Sequence, residues 1–393
     1  MMANHPSPHR SHSSSPIPSS RALRIGLDLT GLWRRRTGIF RYADSISHAL
    51  LARDDGVAYT LFYRRGEAPP VAPRAGLRLV ATPVRQERLA MQLWFPLARH
   101  RLGLDAIHYP AFPPPLLQQR GMIASIHDLT ALRYPQTMTL AGRRYWGPTL
   151  RHAARTATPV LAPSRSTYAD LVQLAGAAPE RVMITPYAAD PSFGRRPTGA
   201  ALHAIRRRWQ LPERFLLAVG TLEPRKNLST LFAALERLRS TLDPPPILVV
   251  AGREGWGDVT TSARLRMLGS AVCFTGHVGE AELIALYHLA SVFVYPSRYE
   301  GFGFPVLEAF WADCPVVTTN SSSIPEVASE AAVLVDPLDA EAMATAIHAV
   351  WTDSRLAARL RAAGAERTRQ FTWHHCAELT VAAYRHGLAE ADE

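Results

Sequence analysis

Apolar residues along this chain gather in short runs separated by longer stretches in which they recur every three or four positions. The runs Leu23–Asp28, Ala58–Phe62, Leu77–Ala81, Ala106–Tyr109, Met122–Ile126, Pro159–Ala162 and Val182–Ile184 read as strands. Between the first two, Phe40, Ala43, Ile46, Ala49, Leu50 and Leu51 have helical spacing and predict a helix over Phe40–Ala52. Residues 195–213, from Arg195-Arg196-Pro197-Thr198-Gly199 onward, read as a linker and a short basic helix. The pattern then restarts. Strands are predicted at Phe215–Gly220, Ile247–Ala251, Val272–Thr275, Val292–Tyr295, Pro315–Thr318 and Ala332–Val335, with helices at Leu228–Leu238, Glu280–Ala290 and Pro305–Trp311. Such alternation predicts an α/β chain of two doubly wound, Rossmann-like domains facing across a cleft. The limits are a disordered tail at 1–22, a first domain at 23–195 and a second at 196–372. The remainder, 373–393, holds a final helix packing back on the first domain.

Open α/β sheets bind ligands beyond the carboxyl ends of their strands. In the second half, the loops Gly220–Lys226, Gly252–Trp256, Gly276–Val278, Tyr299–Phe304 and Asn320–Glu326 all follow strands and should share one edge. The facing edge of the first half carries Gly31–Gly38, Pro110–Pro115 and His127–Tyr134.

Three properties of the composition narrow the function. No apolar run approaches the roughly 18–20 residues that span a bilayer. The three cysteines fit no metal or redox spacing, which suits a reduced, cytoplasmic protein. The net charge of +11 is carried by the first half, the second being slightly acidic. A basic half suits a phosphate-bearing acceptor or an anionic membrane, and equally a merely solvated surface. No nucleic-acid fold signature accompanies it, so nucleic acid is not an expected partner. Among 44 basic residues, Lys226 is the lone lysine. A lysine kept in so arginine-rich a chain marks a place for a compact ammonium.

The chemistry concentrates in two loops. After the run Val292–Tyr295, Glu300-Gly301-Phe302-Gly303-Phe304-Pro305 turns into a helix containing Glu308. Free N–H groups at that helix start make an anion seat, and the two carboxylates flanking it are acceptors for sugar hydroxyls. In Gly220-Thr221-Leu222-Glu223-Pro224-Arg225-Lys226-Asn227, adjacent cations stand before a helix, where they oppose its dipole, so an anionic ligand such as a diphosphate explains them better than the helix does. His127 ends a strand of the basic half, where its imidazole can meet a sugar hydroxyl and Asp128 can orient it. No Ser-His-Asp order, His/Cys cluster or Asp-X-Asp pair is present, so no metal is demanded.

Gly220–Asn227, Gly276-His277-Val278 and the Glu300-to-Glu308 segment together resemble a family 4 glycosyltransferase of the GT-B fold, the glutamates matching its E-x7-E element. Thr37-Gly38-Ile39-Phe40-Arg41-Tyr42, Ile126–Leu129 and Ala251–Gly257 are most similar to its bacterial mannosyltransferase branch, which builds surface polysaccharides. The resemblance implies the following roles. Glu300 holds hydroxyls of the donor hexose, with the amides of Phe302 and Gly303 nearby, and Glu308 holds the ribose. Arg225 and Lys226 grip the diphosphate, within a donor site that includes Gly220, Gly301 and Phe304. His127 bonds the donor sugar. Gly276, His277 and Val278 border the base, and Gly38 lies near the phosphates and acceptor. The family retains anomeric configuration without a protein nucleophile. Two departures stand out: Thr221 follows Gly220 where some relatives have an arginine, which leaves part of the clamp to another arginine, with one of Arg34–Arg36 as the candidate, and residues 187–190 read Tyr-Ala-Ala-Asp in place of the frequent Asn-Gly form.

The expected activity is therefore a retaining, metal-independent hexosyl transfer. GDP-mannose is the first choice of donor, with UDP- or dTDP-sugars behind it, and the acceptor is a saccharide or lipid-linked saccharide. No cofactor beyond the donor is expected. A GT-B-fold epimerase, a phosphorylase and a non-catalytic sugar-nucleotide sensor are the alternatives; the phosphorylase lacks a spare lysine for a pyridoxal cofactor. Arg85–Arg101, which mixes arginines with Trp94 and Phe95, reads either as a core helix or as peripheral contact with the inner face of the cell membrane.

Overall fold

The computed structural model describes residues 22–32, 38–74, 76–83, 90–111, 114–116, 120–253, 255 and 259–389. Residues 1–21 of the expected tail, Arg34–Arg36, Thr37, Arg85 and Trp256, all named above, lie outside that set.

Seven strands build the first sheet: β1 (Leu23–Asp28), β2 (Val57–Arg64), β3 (Arg78–Thr82), β4 (Ala106–Tyr109), β5 (Met122–Ser125), β6 (Val160–Ala162) and β7 (Val182–Ile184). Their order is β3-β2-β1-β4-β5-β6-β7, and every pairing is parallel. Six more build the second: β8 (Leu216–Val219), β9 (Leu248–Ala251), β10 (Val272–Gly276), β11 (Val292–Tyr295), β12 (Val316–Thr319) and β13 (Ala332–Val335). Their order is β10-β9-β8-β11-β12-β13, again all parallel. Strands such as β11, buried at every position, are apolar throughout because helices cover both faces of each sheet. The two sheets are the doubly wound domains of a GT-B architecture. In each, the order reverses at the first strand, between β1 and β4 and between β8 and β11. Those reversals open the crevices where such folds bind ligands.

The apolar core runs across both halves. The helix Gly38–Leu51 buries Phe40, Tyr42, Ala43, Ile46 and Leu50, and these join one cluster with Tyr187, Phe302, Val306 and Tyr384. The final helix, Trp373–Ala389, lies on the first sheet: the Tyr384 hydroxyl is 2.7 Å from Nδ1 of His108 on β4. His108 Nε2 meets Ser125 Oγ, which in turn meets the Tyr42 hydroxyl, so a buried polar chain ties that helix to the cleft side of the first domain. Gly387 packs so closely on Pro159 that a Cβ there would lie 2.5 Å from the proline ring.

Around Trp94 the structure divides the two sequence readings. Phe95 and Ala98, on the helix Phe95–Leu102, are buried in a local core with Phe62 and Tyr109, while Leu93 and Leu97 remain 61% and 52% exposed. Among the described residues, no helix is long and apolar enough to cross a membrane.

Candidate active site

The site forms where the carboxyl ends of β8 and β11 meet the first domain. After β8, Pro224–Lys226 makes a single tight turn, and Asn227, at φ 57, ends it and starts the helix Leu228–Thr241. Asn227 fastens that turn to its surroundings: Nδ2 donates to the carbonyls of Pro296 and Pro337, and Oδ1 accepts from Thr230 and Arg298. After β11, Gly303 takes φ 106, a conformation only glycine holds without strain, and a Cβ there would lie 2.7 Å from Ile324. The helix Phe304–Trp311 starts from it with Pro305 in its first turn, which aims Glu308 back at the cleft.

These two turns bring Arg225, Lys226 and Glu300 into one ion cluster. Lys226 Nζ donates to Glu300 Oε1 at 2.6 Å and to the Tyr295 hydroxyl at 2.9 Å. Arg225 Nη1 lies 2.8 Å from Glu300 Oε2 and also donates to the Tyr299 carbonyl, while Nη2 donates to Glu223 at 2.6 Å. Ser297 Oγ adds a bond to Glu300 Oε1. Burial favours the neutral acid, but the two cations and these donors outweigh it and hold the Glu300 carboxyl at about 2. Burial lowers the Lys226 pKa, with Glu300 opposing and Arg225 adding to the fall. Gly220 lies beside the lysine stem.

Glu308 is held differently. Oε1 accepts from Arg41 Nη1 at 2.8 Å, across the cleft from the helix Gly38–Leu51, and Oε2 accepts from the Tyr287 hydroxyl. Burial raises its pKa, and Arg41 pulls the other way. Arg41 Nη2 also reaches Glu280 at 3.5 Å. Arg41, Glu280 and Glu308 line a cavity of about 570 Å³ whose walls include Phe304, His277, Val278, Asp44 and Asp190. A Cβ on Gly38 would lie 3.7 Å from the Phe304 ring, and Gly276 closes the strand before His277.

The first domain presses directly on the glycine turn. A Cβ on Gly301 would lie 1.6 Å from the His127 carbonyl oxygen, so this position admits no side chain. The Gly301 carbonyl accepts from Ser164 and Thr167. Nearby, the Tyr299 hydroxyl donates to Asp170 at 2.7 Å and accepts from the Leu129 amide. Glu326, from the second domain, caps the amides of Arg165 and Ser166 at 2.8 Å each.

His127 differs from its expected setting. Nε2 faces the Pro110 carbonyl at 2.8 Å and Nδ1 faces the Tyr187 hydroxyl at 2.8 Å, which fixes the neutral, Nε2-protonated tautomer. Burial lowers its pKa to about 4. Asp128 does not orient the ring; its Oδ1 accepts from the Thr130 amide. A carboxylate one residue along the backbone turns to its own loop, and a tyrosine 60 residues away supplies the contact. Tyr187 thereby emerges as a central residue that sequence reasoning assigned to the interdomain region alone. Its ring stacks on Phe304 at 5.6 Å and packs on Phe302 at 5.2 Å and Tyr42 at 4.2 Å. Arg41 was likewise missed as a site residue, although it lies within the Thr37–Tyr42 motif. Arg225, Lys226, Glu300, Glu308 and His127 are thus gathered at the cleft, while Arg34–Arg36 lie outside the described residues.

Comparison with known proteins places this arrangement. The model described as Glycosyltransferase Family 4 matches residues 36–193, and that described as Glycosyl transferases group 1 matches 204–367. The O-antigen chain mannosyltransferase B of Escherichia coli is 29% identical over 71% of this chain and 73% of its own length. A GDP-mannose-dependent alpha-(1-6)-phosphatidylinositol monomannoside mannosyltransferase of Mycobacterium tuberculosis is 33% identical over 45% of this chain, which spans about half that relative, 49% of its length. Among solved structures, the sucrose-phosphate synthase of Thermosynechococcus elongatus superposes with a TM-score of 0.71 at 22% identity, covering 94% of this chain and 100% of that one.

Proposed function

Because the chain belongs to the family 4 glycosyltransferases, we propose that it moves a mannosyl residue from GDP-mannose to a hydroxyl of a saccharide or lipid-linked saccharide. In this reading the configuration at the anomeric carbon is retained, and Arg225 and Lys226 meet the diphosphate charge in place of a divalent ion. The acceptor oxygen bonds to the anomeric carbon as the bond from that carbon to the diphosphate breaks. The electron pair leaves with the diphosphate, and the hydroxyl proton passes to the departing phosphate oxygen.

The observation that carries the proposal is the Glu300 cluster. It sets two cations and a carboxylate held ionised at the carboxyl ends of β8 and β11, beside the N-terminus of the helix Phe304–Trp311. Donor binding redistributes these charges: the diphosphate takes the cations, and hexose hydroxyls take Glu300. Cations fixed where negative charge grows are a large part of catalysis. Both ring nitrogens of His127 are engaged, so a sugar hydroxyl that uses Nδ1 takes the place of the Tyr187 hydroxyl. Support for guanine comes from the cavity around Glu308. Asp44, Asp190 and Glu280 line it as hydrogen-bond acceptors, and guanine offers an N–H and an NH₂ along one edge where uracil offers a single N–H.

A thermal-shift series with GDP-mannose, UDP-glucose and dTDP-glucose tests the donor. At a hundred times Kd the bound donor adds about 2.7 kcal/mol to the stability of the folded state. GDP-mannose is expected to raise Tm most, and a shift with UDP-glucose alone would overturn the choice. Lys226→Ala is expected to cost transfer roughly 2–4 kcal/mol, and EDTA nothing. A near-normal rate in that variant, or loss of activity to EDTA, sinks the assignment.

A further inference from the structure

A second cavity, of about 580 Å³, opens between the domains and is not part of the donor cavity around Glu308. Its first-domain wall is the segment Tyr134–Thr139, and its second-domain wall includes Arg225 and Arg298. Two stretches of chain tie it to the reacting centre. The loop that starts at His127 ends in this cavity, at Tyr134, Gln136 and Met138. The segment 298–304 starts in it with Arg298 and reaches the donor cavity with Phe304. Glu300 lies between those two ends, and Arg225, bonded to Glu300, faces this cavity.

The two cavities differ in chemistry. The donor cavity is lined by Asp44, Asp190, Glu280 and Glu308. Among the described residues, no carboxylate lines the second. It offers instead a half-buried tyrosine ring, the thioether of Met138, the amide of Gln136 and guanidinium N–H groups. Arg298 spends its Nε on Asn227 Oδ1, and its two terminal nitrogens have no partner among the described residues. The Gln136 amide and the Tyr134 hydroxyl also have none there. An aromatic face beside planar amide and guanidinium donors fits a pyranose, whose C–H face is apolar and whose rim of hydroxyls both accepts and donates. The volume falls within the roughly 300–1,000 Å³ of small-ligand sites.

We propose that this cavity is the acceptor subsite, taking the end of a saccharide chain, with Tyr134, Gln136 and Arg298 as its recognition residues. The donor then enters on the Glu308 side and the acceptor on the Tyr134 side, with Glu300 between them. This assignment rests on the transfer reading above, and its test separates the two.

Calorimetric titration of mannotriose into the full chain saturated with GDP provides that test, with GDP affinity measured in parallel. Tyr134→Ala and Gln136→Ala are each expected to weaken mannotriose binding roughly tenfold, about 1.4 kcal/mol, and to leave GDP affinity unchanged. Gln136 is exposed and makes no bond within the described residues, so its replacement leaves the fold intact. Failure of the parent to bind the saccharide, or equal binding by both variants, overturns the proposal. Saccharide binding that these substitutions weaken, in a protein that transfers nothing from GDP-mannose, supports the subsite and overturns the transfer reading.

Discussion

Replacing Glu300 with glutamine keeps the shape of the side chain and removes the charge that Arg225 and Lys226 share. The structure supplies the magnitude. The carboxyl is held at about 2 against an ordinary 4.5, and at about 1.4 kcal/mol per pKa unit this is worth about 3 kcal/mol of stability at neutral pH. The folded-state pKa is depressed, so this contribution is present above pH 4.5 and is lost as pH falls towards 2. Glu300→Gln is therefore expected to lower the unfolding free energy by about 3 kcal/mol at pH 7, shrinking to less than half of that by about pH 3. Urea unfolding of parent and variant at both pH values measures the two differences. Ligand affinity should move the other way. The substitution leaves Glu223 as the remaining carboxylate bonded to Arg225, so GDP should bind the variant more tightly even as hexosyl transfer falls. A variant as stable as the parent at pH 7, or one that binds GDP more weakly, would refute the account of this cluster.

Gly301→Ala places a methyl group against the His127 carbonyl, so the domains cannot meet as they do here. The variant is expected to fold with near-parental circular dichroism, show a larger radius in small-angle scattering and lose transfer; an active, equally compact variant would contradict the contact. His108, buried between Tyr384 and Ser125, has its pKa lowered from 6.5 to about 3 by burial. The unfolded chain takes up this proton first, so His108 is expected to lower stability by about 1.5 kcal/mol between pH 6.5 and pH 5, beside a similar loss from His127, whose pKa is lowered to about 4. His108→Gln should roughly halve the combined slope in urea unfolding, and an unchanged slope would show that His108 carries no share of it.

Strands and topology were legible because strands buried on both faces leave continuous apolar runs, as at Val292–Tyr295 and Val316–Thr319. The Arg225-Lys226 turn and the two glutamates were legible because charged residues follow such runs at the edge where ligands bind. Other parts carried no local signal. Pro148 sits inside the helix Leu140–Thr156 and hides it from a reading that treats proline as a breaker. Arg41 reads as a solvated residue on an amphipathic helix, and its partner Glu308 is 267 positions away. Tyr187 lies in a loop with no periodicity, and its importance comes from rings and an imidazole gathered from across the sequence. Asp128, adjacent to His127, misled by proximity along the chain.

The final helix bears on how the molecule is made. Tyr384 closes on His108 across 276 positions of sequence, and Cys376 and Gly387 pack against Thr185 and Pro159. Domains generally fold in the order of their synthesis. Here the first sheet waits for the last helix, while the second has all thirteenth-strand contacts available once Val335 has emerged. On the ribosome the domain begun first is therefore the one completed last, and loss of the C-terminal helix would damage the half of the protein farthest from it in sequence.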